Sequence, residues 1–333
     1  MRTLRSRLAP IALGVALAQC GCGSLGTDAN IVALEHDGLR LEFMLDRDRV
    51  VYAGPTDGPN MVHLDEATMA LGPHPEGDYR FFGGGYSWIS PQNDPVLGWR
   101  DDAGELMPWP PDPAMDRGPV ELVRRFGSDE LTNGVATGFY VVSPQTRVGL
   151  VEEKSFSLYE RTMPHLPGAG IAYRLRNATD RTVTGGTWFN TAVPGDGLIA
   201  VPGPPSATVR MVDTERHRDF DRLVAERRPH WILLDLSRAT HEGGFKFYID
   251  GPPKIAVWRD GWWLRRESMP GTTQRLIDAG EGAVAIYTDA GAELHEAELY
   301  GPLVDIQPGG STATIEGWWF YEGAPTLGGL VNE

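Results

Sequence analysis

The chain has 333 residues, of which 45 are acidic and 30 are basic, and its formal net charge at neutral pH is −15. An acidic balance of this size repels phosphate backbones and anionic lipid head groups, which argues against nucleic acid as a partner. Hydrophobic residues make up 41% of the chain, enough for a substantial core. The 41 Gly and 26 Pro are spread along the chain as turn residues, a pattern that favours many short strands.

The first residues have the pattern of a secretory signal. Three arginines precede the apolar run 11–18, and small and polar residues follow it. The segment LAQC, which ends at Cys20, resembles a bacterial lipobox. We therefore expect a signal peptide at 1–19, a lipidated Cys20, and a tether over 20–30; the alternatives are cleavage at Cys22 or a soluble periplasmic protein. Because Gly rather than Asp follows Cys20, the expected address is the outer membrane facing the periplasm, with the N-terminal lipid as the membrane contact.

Beyond residue 30 the hydrophobic period is mostly two. Runs rich in β-branched and aromatic residues, each bounded by Gly, Pro, Asp or Asn, predict strands: LRLEFML, GFYVVS, GIAYRLRN, TVTGGTWFNT, WILLDLS, FKFYID, VAIYTD and ATIEGWWFY. Successive antiparallel strands without a long linker predict one all-β domain over 31–333, a large antiparallel β-sandwich.

Two segments differ from this pattern. Residues 214–228 have apolar positions at near-helical spacing among charges, which predicts one short surface helix. Residues 83–119 are rich in Gly, Pro, Trp and Asp, and we expect a long ordered loop lying over a sheet. Binding residues tend to lie on such loops.

The common catalytic motifs are absent from the sequence. It contains no Gly-x-Ser-x-Gly, no P-loop and no dinucleotide-binding glycine pattern. His295-Glu296 begins like a zinc-binding helix motif, but Leu299 stands where the second histidine belongs. We therefore predict neither a metal nor an organic cofactor.

Four segments carry a resemblance to a known family. They are residues 48–66, 83–94, 176–197 and 297–319, and the last contains the most specific piece, LYGPLVDIQPGGS. In this order they resemble the uncharacterised bacterial family DUF4380, which is similar to galactose-mutarotase-like β-supersandwich proteins. The resemblance implies a supersandwich whose concave sheet handles sugars, with no established activity to carry over. Related proteins tend to have a histidine where Gly85 stands here, which argues against acid catalysis from that loop.

The stretch 293–319 combines acidic residues with two tryptophans around a Pro-Gly-Gly turn. Its pattern predicts a closing hairpin, with strands before and after Gln307–Gly310. On the first strand Glu296 and Glu298 share one face and His295 points to the other. The two glutamates are candidate catalytic residues, together with His295, if their face is concave, and a solvated surface if it is not.

A sugar site needs aromatic platforms for C–H faces and planar polar groups for hydroxyls. The candidate ligand-binding residues are Trp88, Asn93, Asp94, Trp99, Asn190, Asp196, Lys254 and Trp258. The adjacent tryptophans 262 and 263, and 318 and 319, must face opposite ways on a strand, so at most one of each pair can lie in a simple core.

Three hypotheses follow. The first is a carbohydrate-binding lipoprotein of the cell envelope, the second a sugar-active enzyme of the aldose 1-epimerase or lyase type, and the third a structural or assembly protein of the envelope. The first is favoured because the sequence alone identifies no acid/base pair. A convergent set of Glu, Asp, Lys or His on one concave face would favour the second.

Overall fold

The computed structural model describes residues 30–70, 81–100, 103–106, 112–116, 119–127, 135–163, 166–211, 217–240, 244–269, 274–289, 291 and 294–330. The predicted signal peptide and Cys20 lie outside the described residues. None of the helices in these ranges is long and apolar enough to cross a membrane.

The described residues form two antiparallel sheets of ten strands each, as expected for a β-sandwich. In chain order the strands are β1 (Ile31–His36), β2 (Leu39–Met44), β3 (Arg49–Pro55), β4 (Gly85–Ser90), β5 (Glu121–Gly127), β6 (Val135–Val142), β7 (Leu150–Met163), β8 (Leu166–Asn177), β9 (Val183–Pro194), β10 (Leu198–Pro202), β11 (Thr208–Met211), β12 (Val224–Arg228), β13 (Trp231–Asp235), β14 (Phe245–Asp250), β15 (Lys254–Arg259), β16 (Trp262–Ser268), β17 (Val284–Asp289), β18 (Leu294–Tyr300), β19 (Val304–Ile306) and β20 (Ser311–Glu322). The first sheet has the order β1-β2-β3-β4-β9-β18-β17-β14-β11, with β19 beside β9. The second has the order β12-β13-β10-β15-β16-β20-β8-β7-β6-β5.

The main core lies between the two sheets. Phe189 of the first sheet and Trp318 of the second meet there with ring centroids 5.6 Å apart. A buried ion pair of the second sheet lies in the same layer: Arg266 donates to both carboxylate oxygens of Glu316, at 2.9 and 3.1 Å, and also to Thr191 Oγ1 of the first sheet at 2.7 Å. Because the guanidinium also reaches main-chain carbonyls of the first sheet, this pair ties the two sheets together.

The C-terminal segment forms a second layer on the far side of the second sheet. Trp318 is fully buried between the sheets, whereas its neighbour Trp319 is only partly buried. Trp263 is fully buried on the opposite side, beneath Leu327 and Leu330. This layer explains how the chain accommodates adjacent tryptophans that face opposite ways.

The helix predicted over 214–228 is shorter than expected. Helix α3 covers only His217–Leu223, and the chain continues as strand β12 to Arg228. Val224 to Arg228 pair with β13, and this edge pairing outweighs the helical spacing of the apolar residues. The structure also contains three further short helices in its described parts, α1 (Glu66–Ala70), α2 (Pro113–Asp116) and α4 (Gln274–Asp278), and a 3-10 helix at Leu236–Arg238.

The segment predicted as a loop over 83–119 begins with a sheet strand. Strand β4 is buried along its whole length and pairs with β9 from Gly85 to Ser90. The sequence pattern did not predict this strand because it contains glycine and serine, and glycine is depleted in strands. The part that is a loop starts only at Pro91 and contains helix α2.

The closing hairpin predicted over 293–319 is wrong in its pairing. Strand β18 pairs with β9 and β17 in the first sheet, whereas β20 pairs with β8 and β16 in the second. After β18 the chain turns at Gly301-Pro302, because proline lacks the N–H that a continuing central strand would need. The turn at Gln307–Gly310 exists, with Gly310 N donating to Gln307 O at 2.8 Å, but it carries the chain from β19 to β20 in the other sheet.

Candidate functional site

Strand β18 lies in the middle of the first sheet and separates three candidate residues onto two faces. Ala297 and Leu299 face the core between the sheets, and His295 shares their side. Glu296 and Glu298 point to the other side, which we call the outer face of the first sheet. Their side chains are 9% and 0% exposed, so this face is covered rather than open to solvent.

Register places polar side chains from three strands in one row on the outer face. Tyr86 of β4 lies opposite Asn190 of β9, and Asn190 lies opposite Glu298 of β18. Asn190 is completely buried, and neither its Oδ1 nor its Nδ2 has a hydrogen-bond partner among the described residues. A buried amide without partners costs free energy, which favours a ligand or water at this position.

Glu298 is anchored through one of its two oxygens. Its Oε2 lies 2.6 Å from Lys246 Nζ and accepts hydrogen bonds from Trp188 Nε1 at 2.8 Å and the Tyr300 hydroxyl at 2.9 Å. Its Oε1 is buried and lacks a hydrogen-bond partner in the described part of the chain. The carboxylate is therefore oriented by its neighbours, while one oxygen remains available to accept a proton or a hydrogen bond.

Glu296 is the titrating group of the face. Burial, and then the negative charge of Glu298, raise the pKa of Glu296 to about 7 from an ordinary value of 4.5. The Tyr86 hydroxyl donates a hydrogen bond to it, which acts in the opposite direction, as do the charges of Lys246 and Arg49. Glu296 therefore exchanges its proton near neutral pH, as a general acid or base must.

Lys246 holds the positive charge of the site. Burial lowers its pKa, but the charge and hydrogen bond of Glu298, together with the charges of Tyr248 and Glu296, outweigh this effect, and the net result is a pKa above the ordinary value. Its Nζ also lies 4.1 Å from the centre of the Trp188 ring, within the range of a cation–π contact. Lys246 therefore remains a cation, suited to binding and orienting rather than to donating its proton.

Aromatic side chains cover one end of the outer face. The rings of Trp88 and Trp188 meet edge to face at 5.1 Å, and Trp188 stacks on Tyr300 at 5.3 Å. Trp99, from the loop after β4, closes against Trp88 at 5.9 Å and donates its Nε1 to Ile89 O at 2.6 Å. Trp88 and Trp99 thus form a packed wall against Trp188, the residue that donates to Glu298.

The remaining predicted ligand-binding residues lie elsewhere. Asn93 is exposed, and Asp94 accepts hydrogen bonds from Val96 N at 2.8 Å and from Leu97 N, so it holds a turn. Lys254 and Trp258 belong to β15 in the second sheet, where Trp258 Nε1 donates to Gly323 O at 2.8 Å. Lys254 and Trp258 are therefore not near the glutamates, which lie on the first sheet. The sequence could not show this, because a lysine on a strand of either sheet fits the same pattern.

His295 and Asp196 meet at a different place. Both line a cavity of about 930 Å³ at the end of the first sheet, together with His63 and Phe82. Pro194, also in its wall, lies two residues beyond Ala192 on β9, and Ala192 is directly opposite Glu296. The cavity therefore begins about two residues beyond the level of Glu296, or about 7 Å along the strand.

Four contributors to the site were missed by sequence reasoning: Tyr86, Trp188, Lys246 and Tyr300. Trp188, Lys246 and Tyr300 each follow or precede a core residue on their strands, and this alternation was the signal available, whereas Tyr86 lies between Gly85 and Ser87 and had no such signal. In FKFYID, for example, Phe245, Phe247 and Ile249 enter the core cluster, so that Lys246 must face outward. Within the described ranges, no three His, Cys, Asp or Glu side chains are grouped in a way that could hold a metal ion.

Comparisons with known structures support the fold. The chain is similar to a galactose mutarotase-like protein from Lactobacillus casei (8% identity, TM-score 0.51, covering 87% of this chain and 100% of the other). It is also similar to a protein from Escherichia coli K12 whose name proposes an aldose 1-epimerase (10% identity, TM-score 0.51, 88% and 99% covered) and to the Slr1438 protein from Synechocystis (13%, 0.51, 91% and 100%). No protein-family model matches the chain, and no curated protein matches it. The protein thus has a galactose mutarotase-like β fold.

Proposed function

We propose that this protein binds an aldose on the outer face of the first sheet and exchanges its anomers by acid/base catalysis. The observation that carries the proposal is the pair Glu296 and Glu298 on one strand face, in which Glu296 has a pKa of about 7 beside a Lys246-bound Glu298. This is the convergent Glu and Lys set that favours an enzyme over a simple binder. The fold shared with proteins named for mutarotase or epimerase activity agrees with this choice.

The chemistry requires one proton donor and one proton acceptor. The free Oε1 of Glu298 takes the proton of the anomeric hydroxyl, while protonated Glu296 gives its proton to the ring oxygen. The bond between the anomeric carbon and the ring oxygen breaks, and the anomeric carbon becomes the aldehyde of an open chain. Rotation about the neighbouring carbon–carbon bond and reversal of both proton transfers yield the other anomer and restore both carboxyl groups.

The other side chains of the face bind and orient the sugar in this proposal. The amide of Asn190, unpartnered within the described chain, can both donate to and accept from sugar hydroxyls. Lys246 fixes the orientation of Glu298 through its Oε2. The tryptophan wall excludes water, which strengthens these interactions.

A non-catalytic carbohydrate-binding protein is the second candidate. It is favoured by the complete burial of Glu298 and by the three donors on its Oε2, because protonating such a carboxylate sacrifices part of that network. In that case the same face binds a sugar without chemistry.

We also propose an address in the cell envelope. The LAQC segment supports lipidation at Cys20 and anchoring in the outer membrane facing the periplasm, and the four motifs support membership of the DUF4380 family. Mass spectrometry of the native N-terminus tests the address. A mature protein that starts beyond Cys22 without a lipid would contradict it.

The catalytic proposal is tested by anomer exchange, followed by polarimetry or NMR on freshly dissolved aldoses. Glu296→Gln and Glu298→Gln should each lower the rate at least about 100-fold, the usual contribution of a general acid or base. Glu322→Gln, a change at an exposed strand position of the second sheet, is the matched control and should leave the rate unchanged. Sugar binding without any exchange in the wild type would select the binding protein instead.

A further inference from the structure

The cavity at the end of the first sheet is separate from the glutamate pair and has its own polar groups. Its volume of about 930 Å³ is within the range of small-molecule sites. Its described walls are residues 63–66 and 81–83, the turn after β9 and the 3-10 helix after β13. Phe81 and Phe82 belong to the apolar part of the lining, together with Leu64 and Leu236.

His295 is a buried polar residue in this wall. It is 1% exposed, and its Nδ1 has no hydrogen-bond partner among the described residues. Burial lowers the pKa of His295 to about 4, although the charge of Asp289 and a hydrogen bond with the backbone of Gly195 act in the opposite direction. At neutral pH the ring is therefore uncharged, and one of its nitrogens is an acceptor that lacks a donor.

The wall offers acceptors, and several of its donors are already used. His63 N donates to Ala192 O at 2.9 Å, Asp65 N donates to Phe82 O at 2.9 Å, and the Ser237 hydroxyl donates to Asp235 Oδ1 at 2.5 Å. The described lining contains no lysine or arginine. A ligand with hydrogen-bond donors of its own is therefore favoured at this wall.

The described part of the wall has a negative charge. Glu66 and Asp196 are exposed at the cavity and have no ion pair with another described residue, whereas Asp65 uses both carboxylate oxygens on Thr68. Burial lowers the pKa of His63 as well, with the charge of Arg259 acting in the same direction, so the two histidines do not offset the acids. Anionic ligands are disfavoured here, and a cation is favoured.

We propose that this cavity binds a polyhydroxylated ammonium compound, an amino sugar being the simplest example. The ammonium group is held by Glu66 and Asp196, a hydroxyl donates to His295 Nδ1, and the C–H face of the ring lies against Phe81. The site does not depend on anomer exchange at Glu296 and Glu298, and it stands or falls independently of that activity.

Binding is measured by calorimetry at low ionic strength with four probes: glucosamine, glucose, N-acetylglucosamine and glucuronate. Glucosamine should bind at least threefold more tightly than glucose or N-acetylglucosamine, because only glucosamine carries the charge, and glucuronate should not bind. Equal affinity for glucosamine and glucose would overturn the proposal, as would the absence of glucosamine binding.

Variants locate the binding. Asp196→Asn should weaken glucosamine binding about threefold to fivefold, as expected for a partly exposed charge pair, and adding Glu66→Gln should remove the preference over glucose. Asp180→Asn, an exposed aspartate in the turn between β8 and β9 that does not line the cavity, is the matched control and should have no effect. Loss of glucosamine binding in Glu298→Gln, with Asp196→Asn unaffected, would overturn the proposal by placing the amine on the sheet face.

NMR of the histidine rings provides the second readout. The chain has eight histidines, and glucosamine should shift the ring signals of His63 and His295 selectively, with the His295 signals assigned through His295→Gln. Shifts confined to other histidines would contradict a site in this cavity.

Discussion

Replacing Glu296 by glutamine should make the protein more stable at alkaline pH and leave its stability nearly unchanged under mildly acidic conditions. The substitution retains an oxygen that accepts the hydrogen bond from Tyr86 and removes the group that is forced to ionise in a buried place beside Glu298. The stability difference between variant and wild type should therefore depend on pH.

The magnitude follows from the raised pKa. With a folded-state pKa of about 7 against an ordinary value of 4.5, the folded protein binds this proton more tightly than the unfolded chain does. The free energy of unfolding of the wild type therefore falls as the pH rises from about 4.5 to about 7. A shift of this size corresponds to about 3 kcal/mol, which Glu296→Gln should recover at pH 8 relative to pH 4.5.

Urea unfolding of wild type, Glu296→Gln and Glu322→Gln at pH 4.5, 6 and 8 measures this difference. Glu322 is exposed on a strand of the second sheet, so its variant should follow the wild type at every pH. A Glu296→Gln difference that stays constant within about 1 kcal/mol from pH 4.5 to 8 would refute the reasoning, because it would mean that Glu296 titrates normally in the folded protein.

Three further changes have expected outcomes. Relative to the wild type, His295→Gln should gain about 3 kcal/mol in unfolding free energy between pH 6.5 and pH 4. The reason is that the pKa of folded His295 is lowered from 6.5 to about 4, so the unfolded wild-type chain takes up this proton first. Urea unfolding of both proteins at pH 6.5, 5 and 4 measures the difference, and a difference that stays constant over this range would contradict the buried, uncharged ring. Asn190→Leu should abolish sugar binding. Its free energy of unfolding should equal that of the wild type or exceed it by up to about 2 kcal/mol, since both amide atoms lack partners among the described residues; a free energy of unfolding lower than that of the wild type by more than about 1 kcal/mol would show that the free protein satisfies this amide. Arg266→Met should lower the free energy of unfolding by about 3–5 kcal/mol, because it leaves the buried Glu316 charge unpaired, and Arg266→Met/Glu316→Leu should regain most of this loss. A double-mutant cycle of urea unfolding measures both, and a double variant that stays as unstable as Arg266→Met would contradict this view of the pair.

Local patterns of the sequence predict much of the strand content and one hairpin. The run KIAVWRDGWWLRR forms the β15–β16 hairpin, with Asp260 and Gly261 at positive φ in the turn that reverses the chain. The alternation on β18 likewise separates His295 from Glu296 and Glu298 without any knowledge of the neighbouring strands. These features depend on residues that are close together in the chain, and this is why pattern and turn chemistry suffice for them.

The composition of the site depends on pairing between distant segments. Asn190 meets Glu298, and Lys246 reaches the same carboxylate, because β9 and β17 flank β18 and β14 follows β17 in the first sheet. Nothing in the strand runs distinguishes Lys246, which belongs to this site, from Lys254, which lies on the second sheet. Strand order follows from hydrogen bonding and burial over the whole sandwich, which alternation within one strand does not encode.

The amino-acid order alone is therefore sufficient for the β class, the turns and the faces of individual strands, since each depends on neighbouring residues and on backbone geometry. Tertiary structure decides that Glu296 is buried beside Glu298, and burial together with this neighbouring charge raises the pKa of Glu296 toward neutrality. It also decides that His295 and Asp196 border a separate cavity rather than the glutamate pair. Burial and the proximity of charges are properties of the packed sheets, because desolvation and Coulomb interactions depend on distance in space and not along the chain.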